Sequence, residues 1–171
     1  MNCCLGSVPA VQREAAMEYY GINAVLSILT ESQMDLQEKL VEHLDSFSIS
    51  KERGNWLRFD FGDCRLNRNI QSELHEAADF IHRHMASNEE RGDNGDGGGS
   101  GSVMVHCWAG MSRSPTMVIA FLMKHRAMSC DEALHLVKAQ RKVAQPKPYF
   151  MEQLLIFQDA LNGNNSCCAI L

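Results

Sequence analysis

Nine residues, His106-Cys107-Trp108-Ala109-Gly110-Met111-Ser112-Arg113-Ser114, constrain the fold of this chain more tightly than any other stretch. A cysteine followed six residues later by an arginine, and then by a hydroxyl residue, spells a tight loop that cradles an anion. Successive backbone N–H groups hold the oxygens of such an anion, and a planar guanidinium grips two of them at once. The flanks say how the loop is mounted. Val103-Met104-Val105 ahead of it is a short run of strand-forming residues, whereas Pro115-Thr116-Met117-Val118-Ile119-Ala120-Phe121-Leu122-Met123 behind it is nearly all apolar, with proline in the first turn of a buried helix. Strand, loop and helix N-terminus in that order bring the loop amides and the positive end of a helix dipole to one small volume. Phosphate dianions bind in such places, and cysteine thiols there become nucleophiles. An inert core cysteine at position 107 would leave the anion-binding residues after it unexplained.

The rest of the chain alternates between strand and helix signals. Ile22 to Ile28 reads as a buried strand, Asn55 to Phe61 as a second and Val103 to His106 as a third. Between the last two, Ile70, Leu74, Ala77, Ile81 and Met85 recur at helical spacing. Ser129-Cys130-Asp131-Glu132 is a capping box, and a final helix starting near Pro148 places Phe150, Leu154, Phe157 and Leu161 on one face before ending ahead of Gly163. This pattern predicts an α/β domain with a central, mostly parallel sheet flanked by helices. The domain is expected over 1–162, with a flexible insertion at 87–102 and a flexible tail at 163–171. The insertion, rich in Gly, Asp and Ser, enters the strand edge opposite the anion loop, and most such insertions are tolerated without a role.

The anion-loop segment from His106 to Ser114, with its Ser-Arg-Ser-Pro-Thr ending at Thr116, resembles the signature of the cysteine-dependent dual-specificity protein phosphatases. Leu5-Gly6-Ser7, Glu14-Ala15-Ala16 and Gly21 to Leu26 are similar to the opening of that family, and Glu132-Ala133-Leu134, Val137-Lys138, Arg141, Pro146, Phe150 and Gln153-Leu154 to its closing helices. An abbreviated N-terminus, the extra segment from Met34 to Leu44 and the insertion are departures, and none touches the motif. The resemblance implies the protein-tyrosine-phosphatase-like fold of a small, atypical member. It also implies a reaction. Cys107 attacks phosphorus, Arg113 and the backbone of Trp108, Ala109, Gly110, Met111 and Ser112 bind the phosphate, and Ser114 donates a hydrogen bond to the thiolate as it departs. His106 is implied as a buried support of the loop rather than a base. No metal or cofactor is called for, because arginine and oriented amides supply the positive field.

The leaving group also needs a proton. Leu57, Phe59 and Phe61 alternate as on a half-buried strand, and Asp63 follows at its C-terminal end, the edge where the anion loop sits. The family's general acid occupies a loop after such a strand, and Asp63 matches it best. Asp60 is the rival, and either aspartate could instead be a turn or cap residue. Cys64, next to Asp63, is a bystander or a redox partner for Cys107. For Trp108 the sequence leaves open whether the ring shapes the pocket rim or packs beneath the loop.

The chain ends in Cys168-Ala169-Ile170-Leu171, a prenylation-type box whose leucine favours geranylgeranyl. One lipid anchors weakly, and no basic cluster precedes the box, so a second signal is required. Cys167, Cys3 and Cys4 are candidates for palmitoylation. A net charge of −5 with scattered Lys and Arg argues against nucleic acid as a partner, and seven cysteines without scaffold spacing point to a reducing, cytoplasmic compartment. The expected partner is a phosphorylated protein, met by a monomer that is attached to the cytosolic face of a membrane. The interval between Cys107 and Arg113 carries no lysine for extra inositol phosphates, which favours phosphotyrosine and phosphoserine or phosphothreonine in proteins over phosphoinositides. A catalytically silent, membrane-tethered phosphopeptide-binding module is the competing class.

Overall fold

Residues 3–35, 38–63, 69–86 and 102–166 are described by a computed structural model. Strand β1 (Cys3–Ser7) leads into the short helices α1 (Val8–Val11) and α2 (Glu14–Tyr19), followed by β2 (Ile22–Ile28), α3 (Glu31–Asp35) and α4 (Glu38–Ser46). Strand β3 (Trp56–Phe59), helix α5 (Gln71–Ala86), strand β4 (Ser102–Cys107) and helices α6 (Arg113–Arg126), α7 (Cys130–Gln140) and α8 (Pro148–Ser166) complete it. The sheet order is β1-β4-β2-β3, and every neighbouring pair runs parallel.

A parallel sheet must be covered on both faces, so its strands read as continuous apolar runs. The side-chain alternation of β2 and β4 then sorts the core in two. Ala24, Leu26, Ile28, Val103, Val105 and Cys107 pack on the side of α5, α6, α7 and α8. Val25, Leu29 and Met104 pack on the other side with Val11, Met17, Leu40 and Leu44. That period of two decides the site. It turns Cys107 towards the α6 side and leaves its neighbour His106 on the opposite face. Helix α6 is buried at every residue from Arg113 to Met123, which is why no amphipathic pattern marks it in the sequence.

The α/β architecture around a parallel sheet is as expected, with four revisions of detail. Strand β1 was missed: its five residues include Gly6 and show no alternation, yet it pairs with β4 from Cys3↔Val103 to Ser7↔Cys107. The palmitoylation candidates Cys3 and Cys4 therefore belong to the sheet. Burial pushes the Cys3 thiol up to about 12, and the neighbouring Cys4 adds to the rise. The strand expected over Asn55 to Phe61 is shorter, because pairing with β2 stops at Phe59 although Phe61 stays buried. Helix α8 runs past Gly163 to Ser166; a single glycine in an established helix costs only about 1 kcal/mol. The tail boundary at 163 moves accordingly. The segment from Met34 to Leu44 enters α3 and α4, and its Leu40 and Leu44 fill the second core. The insertion at 87–101, Cys64, Cys167 and Cys168 lie outside the described residues.

Candidate active site

The anion loop hangs between β4 and α6, and its backbone is held from outside. The carbonyl of Trp108 accepts from Val8 N–H at 3.2 Å, and that of Met111 from Gln145 N–H at 2.6 Å. Those of Gly110 and Ala109 accept from the Arg141 guanidinium, Nε at 2.8 Å and Nη2 at 3.4 Å. In a planar trans peptide the N–H of the next residue points opposite to the carbonyl. Four carbonyls drawn outwards therefore aim the amides of Ala109, Gly110, Met111 and Ser112 into the loop. The turn requires glycine at 110, where φ is +69° and an added Cβ would lie 2.4 Å from the Gly6 carbonyl oxygen of β1.

Cys107 and Arg113 meet at this concavity, and both are buried. Ser114 Oγ donates to Cys107 Sγ at 3.2 Å. Arg113 Nη1 donates to Phe61 O at 3.1 Å and to Gln33 Oε1 at 2.9 Å, which fixes the guanidinium plane. Its Nε is buried with no protein partner and remains available to an anion. Gln33 was not singled out from the sequence, although a signal for it is present. Thr30-Glu31-Ser32-Gln33 forms a reciprocal cap on α3, with Thr30 N–H donating to Gln33 Oε1 at 3.1 Å and Gln33 N–H to Thr30 Oγ1 at 3.3 Å. The cap holds still the oxygen that receives Arg113.

The loop opens into a cleft of about 530 Å³ whose walls include Gln33, Asp63, Pro146, Lys147 and Pro148. Trp108, 40% exposed, and Met111, 43% exposed, stand at its rim rather than beneath the loop. Asp63 faces the same cleft. Its Oδ2 lies 3.2 Å from Lys147 Nζ, while its Oδ1 is buried without a partner. Asp60 is elsewhere: exposed, it accepts the Glu31 N–H at 3.1 Å at the start of α3, a cap role.

His106 lies on the far face of the sheet, completely buried. Trp56 Nε1 donates to Ser27 Oγ at 3.0 Å, and Ser27 Oγ lies 2.7 Å from His106 Nε2. Indole N–H is only a donor, so the Ser27 oxygen accepts from Trp56 while it stands within hydrogen-bond distance of the imidazole, linking the three side chains. Burial lowers the His106 pKa to about 4, against the opposing pull of a hydrogen bond to the Cys107 backbone. The ring is a neutral brace under the loop.

The matching family model is that of the dual specificity phosphatase catalytic domain, over residues 3–160. Dual specificity protein phosphatase 1 of Arabidopsis thaliana is 31% identical over 154 residues, which cover 88% of this chain and 62% of that protein. Dual specificity protein phosphatase 1B of the same plant is 47% identical over 64 residues, 37% of this chain and 38% of that protein. The matched stretches thus span less than two thirds of either relative. Among solved structures, human DUSP28 superposes with a TM-score of 0.71 at 23% identity, covering 95% of each chain. DUSP15 superposes with a TM-score of 0.68 at 25% identity, covering 96% of this chain and 90% of that one. A strand, anion loop and buried helix mounted on a parallel sheet, matched by the family model over almost the whole described length, place this chain in the dual specificity phosphatase family.

Proposed function

We propose that the protein hydrolyses phosphotyrosine and phosphoserine or phosphothreonine in proteins through a phosphocysteine intermediate. Cys107, as thiolate, attacks phosphorus in line with the leaving oxygen. Arg113 Nε and the four inward amides carry the equatorial oxygens, and Asp63 gives its proton to the departing alkoxide or phenoxide. A water then gives its proton back to Asp63 and attacks the phosphocysteine, releasing phosphate and the thiolate, which Ser114 Oγ stabilises through its hydrogen bond. The observation that carries this reading is the buried Arg113 Nε, without a protein partner and beside a loop whose carbonyls are all engaged from outside.

The substrate class is tested by phosphate release from matched phosphotyrosyl and phosphothreonyl peptides and phosphoinositides. Both peptides are expected to be turned over, with the phosphoinositide slower by at least about tenfold, the worth of one lost charge-assisted hydrogen bond. A phosphoinositide preference would reverse the assignment and would fit the neighbour PTPMT1, solved in complex with PI(5)P at 18% identity.

The reading extends to lipidation of Cys168, seconded by Cys167, and to the cytosolic face of a membrane. Among the described residues no helix is long and apolar enough to cross a bilayer. Expressed in a eukaryotic cell, the full chain is expected to carry a geranylgeranyl mass on Cys168 and to partition with membranes, and Cys168→Ser is expected to move it to the soluble fraction. An unmodified wild-type C-terminus would end the lipid-anchor proposal.

A further inference from the structure

The segment from Gln145 to Pro148 runs alongside both halves of the site. Gln145 N–H holds the Met111 carbonyl, and two residues on, Lys147 N–H donates to Ser112 Oγ at 3.2 Å. The Lys147 side chain reaches the other way. Its ammonium donates to the backbone carbonyl of Asp63 and lies 3.2 Å from the Asp63 carboxylate. One residue thus clasps the anion loop with its backbone and the Asp63 segment with its tip. It stands between two prolines, Pro146 and Pro148. Proline fixes its own φ and restricts the residue before it to extended conformations, so the backbone of Lys147 is stiff before any contact forms.

An ion pair this exposed adds little to stability: the Lys147 side chain is 54% exposed and that of Asp63 33%. Geometry is where it acts. The backbone carbonyl contact sets the position of the Asp63 main chain, and the Oδ2 contact sets the rotation of the carboxylate. Oδ1 stays buried without a partner, while Asp63 as a residue lines the wall of the cleft. We propose that Lys147 is a positioning residue for proton donation to the leaving group, acting by holding Asp63 at a fixed distance from the phosphate bound in the anion loop. This rests on Asp63 being the acid. Lys147 does not itself touch the transferred phosphoryl group in this scheme.

The test is the phosphorylation step in single-turnover kinetics, measured on a series of phosphate esters running from alkyl to strongly acidic aryl leaving groups. Lys147→Met is expected to slow alkyl esters by about 10- to 100-fold, the scale of a misplacement of about 1 Å, and acidic aryl esters by less than about threefold. Competitive inhibition by inorganic phosphate is expected to stay as in wild type, since the amides and Arg113 are intact. Lys147→Arg, which keeps the cation and the donors, is expected to recover most of the alkyl rate. Added to Asp63→Asn, Lys147→Met is expected to cause almost no further loss, because its effect passes through Asp63. A uniform loss across the series, weaker phosphate inhibition, or full additivity with Asp63→Asn would overturn the inference and make Lys147 a structural or substrate-binding residue. The two readings separate cleanly. A leaving-group dependence in Asp63→Asn without one in Lys147→Met sinks the lysine alone, and its absence from Asp63→Asn sinks both.

Discussion

Replacing Cys107 by serine is expected to remove turnover on every phosphoester while leaving phosphopeptides bound. The loss should exceed about 10⁴-fold, because a serine hydroxyl is scarcely ionised near neutral pH and nothing beside position 107 serves as a base for it. Ser114 Oγ donates towards the sulfur, and the neighbouring His106 is held on the other face of the sheet. Binding should persist because the four inward amides are fixed by contacts from Val8, Arg141 and Gln145, none of which involves the sulfur. Removing a buried negative charge from beneath a dianion should even tighten the complex. The measurement is calorimetric titration of a phosphotyrosyl peptide alongside a turnover assay of the same preparation. Residual turnover within about tenfold of wild type would remove Cys107 as nucleophile, and lost binding would show that the amides depend on the sulfur after all.

Asp63→Asn is expected to slow the phosphorylation step of alkyl phosphates by about 10²–10⁴-fold, the usual worth of a placed general acid. Aryl phosphates with acidic leaving groups depart unaided and should lose far less. Asp60→Asn should show no such split, since the Asp60 carboxylate is engaged at the start of α3, away from the cleft. Single-turnover measurement isolates this step from phosphocysteine hydrolysis, the second step proposed for Asp63. A steep leaving-group dependence in the Asp60 variant, and none in the Asp63 variant, would transfer the acid role to Asp60 and leave the parts played by Cys107 and Arg113 standing.

What was legible in the sequence follows from where each signal is stored. Strands β2 and β4 are mostly apolar and almost wholly buried, α5 has a clean period, and Ser129 with Glu132 forms the reciprocal cap that its spacing announced. The anion loop was legible because all its chemistry falls within nine consecutive residues. Strand β1 was not, since four half-buried residues around a buried glycine look like any loop until β4 lies beside them. The clasp on the site was illegible for a different reason. Gln33 reaches Arg113 across 80 positions and Lys147 reaches Asp63 across 84, so neither contact leaves a local pattern. His106 illustrates the middle case: burial was foreseeable from a strand of buried neighbours, but its brace through Ser27 to Trp56 exists only once three strands are aligned.

The sheet order has a bearing on how such a site comes into being during synthesis. Strands β1 and β2 emerge early and never pair with each other, because β4 must slide between them. Cys3 waits for Val103, and Ile28 for Cys107, across most of the chain. Closing contacts so distant along the sequence is the slow part of folding. The loop that carries Cys107 is suspended from the last strand to arrive, and its Trp108 carbonyl is tied to Val8 beside the first. A nascent or N-terminally clipped chain, however helical, has no rudimentary cradle to offer a phosphoester. The phosphate cradle is expected to assemble only as the sheet closes, with β4 seated between β1 and β2 and the Trp108 carbonyl tied to Val8.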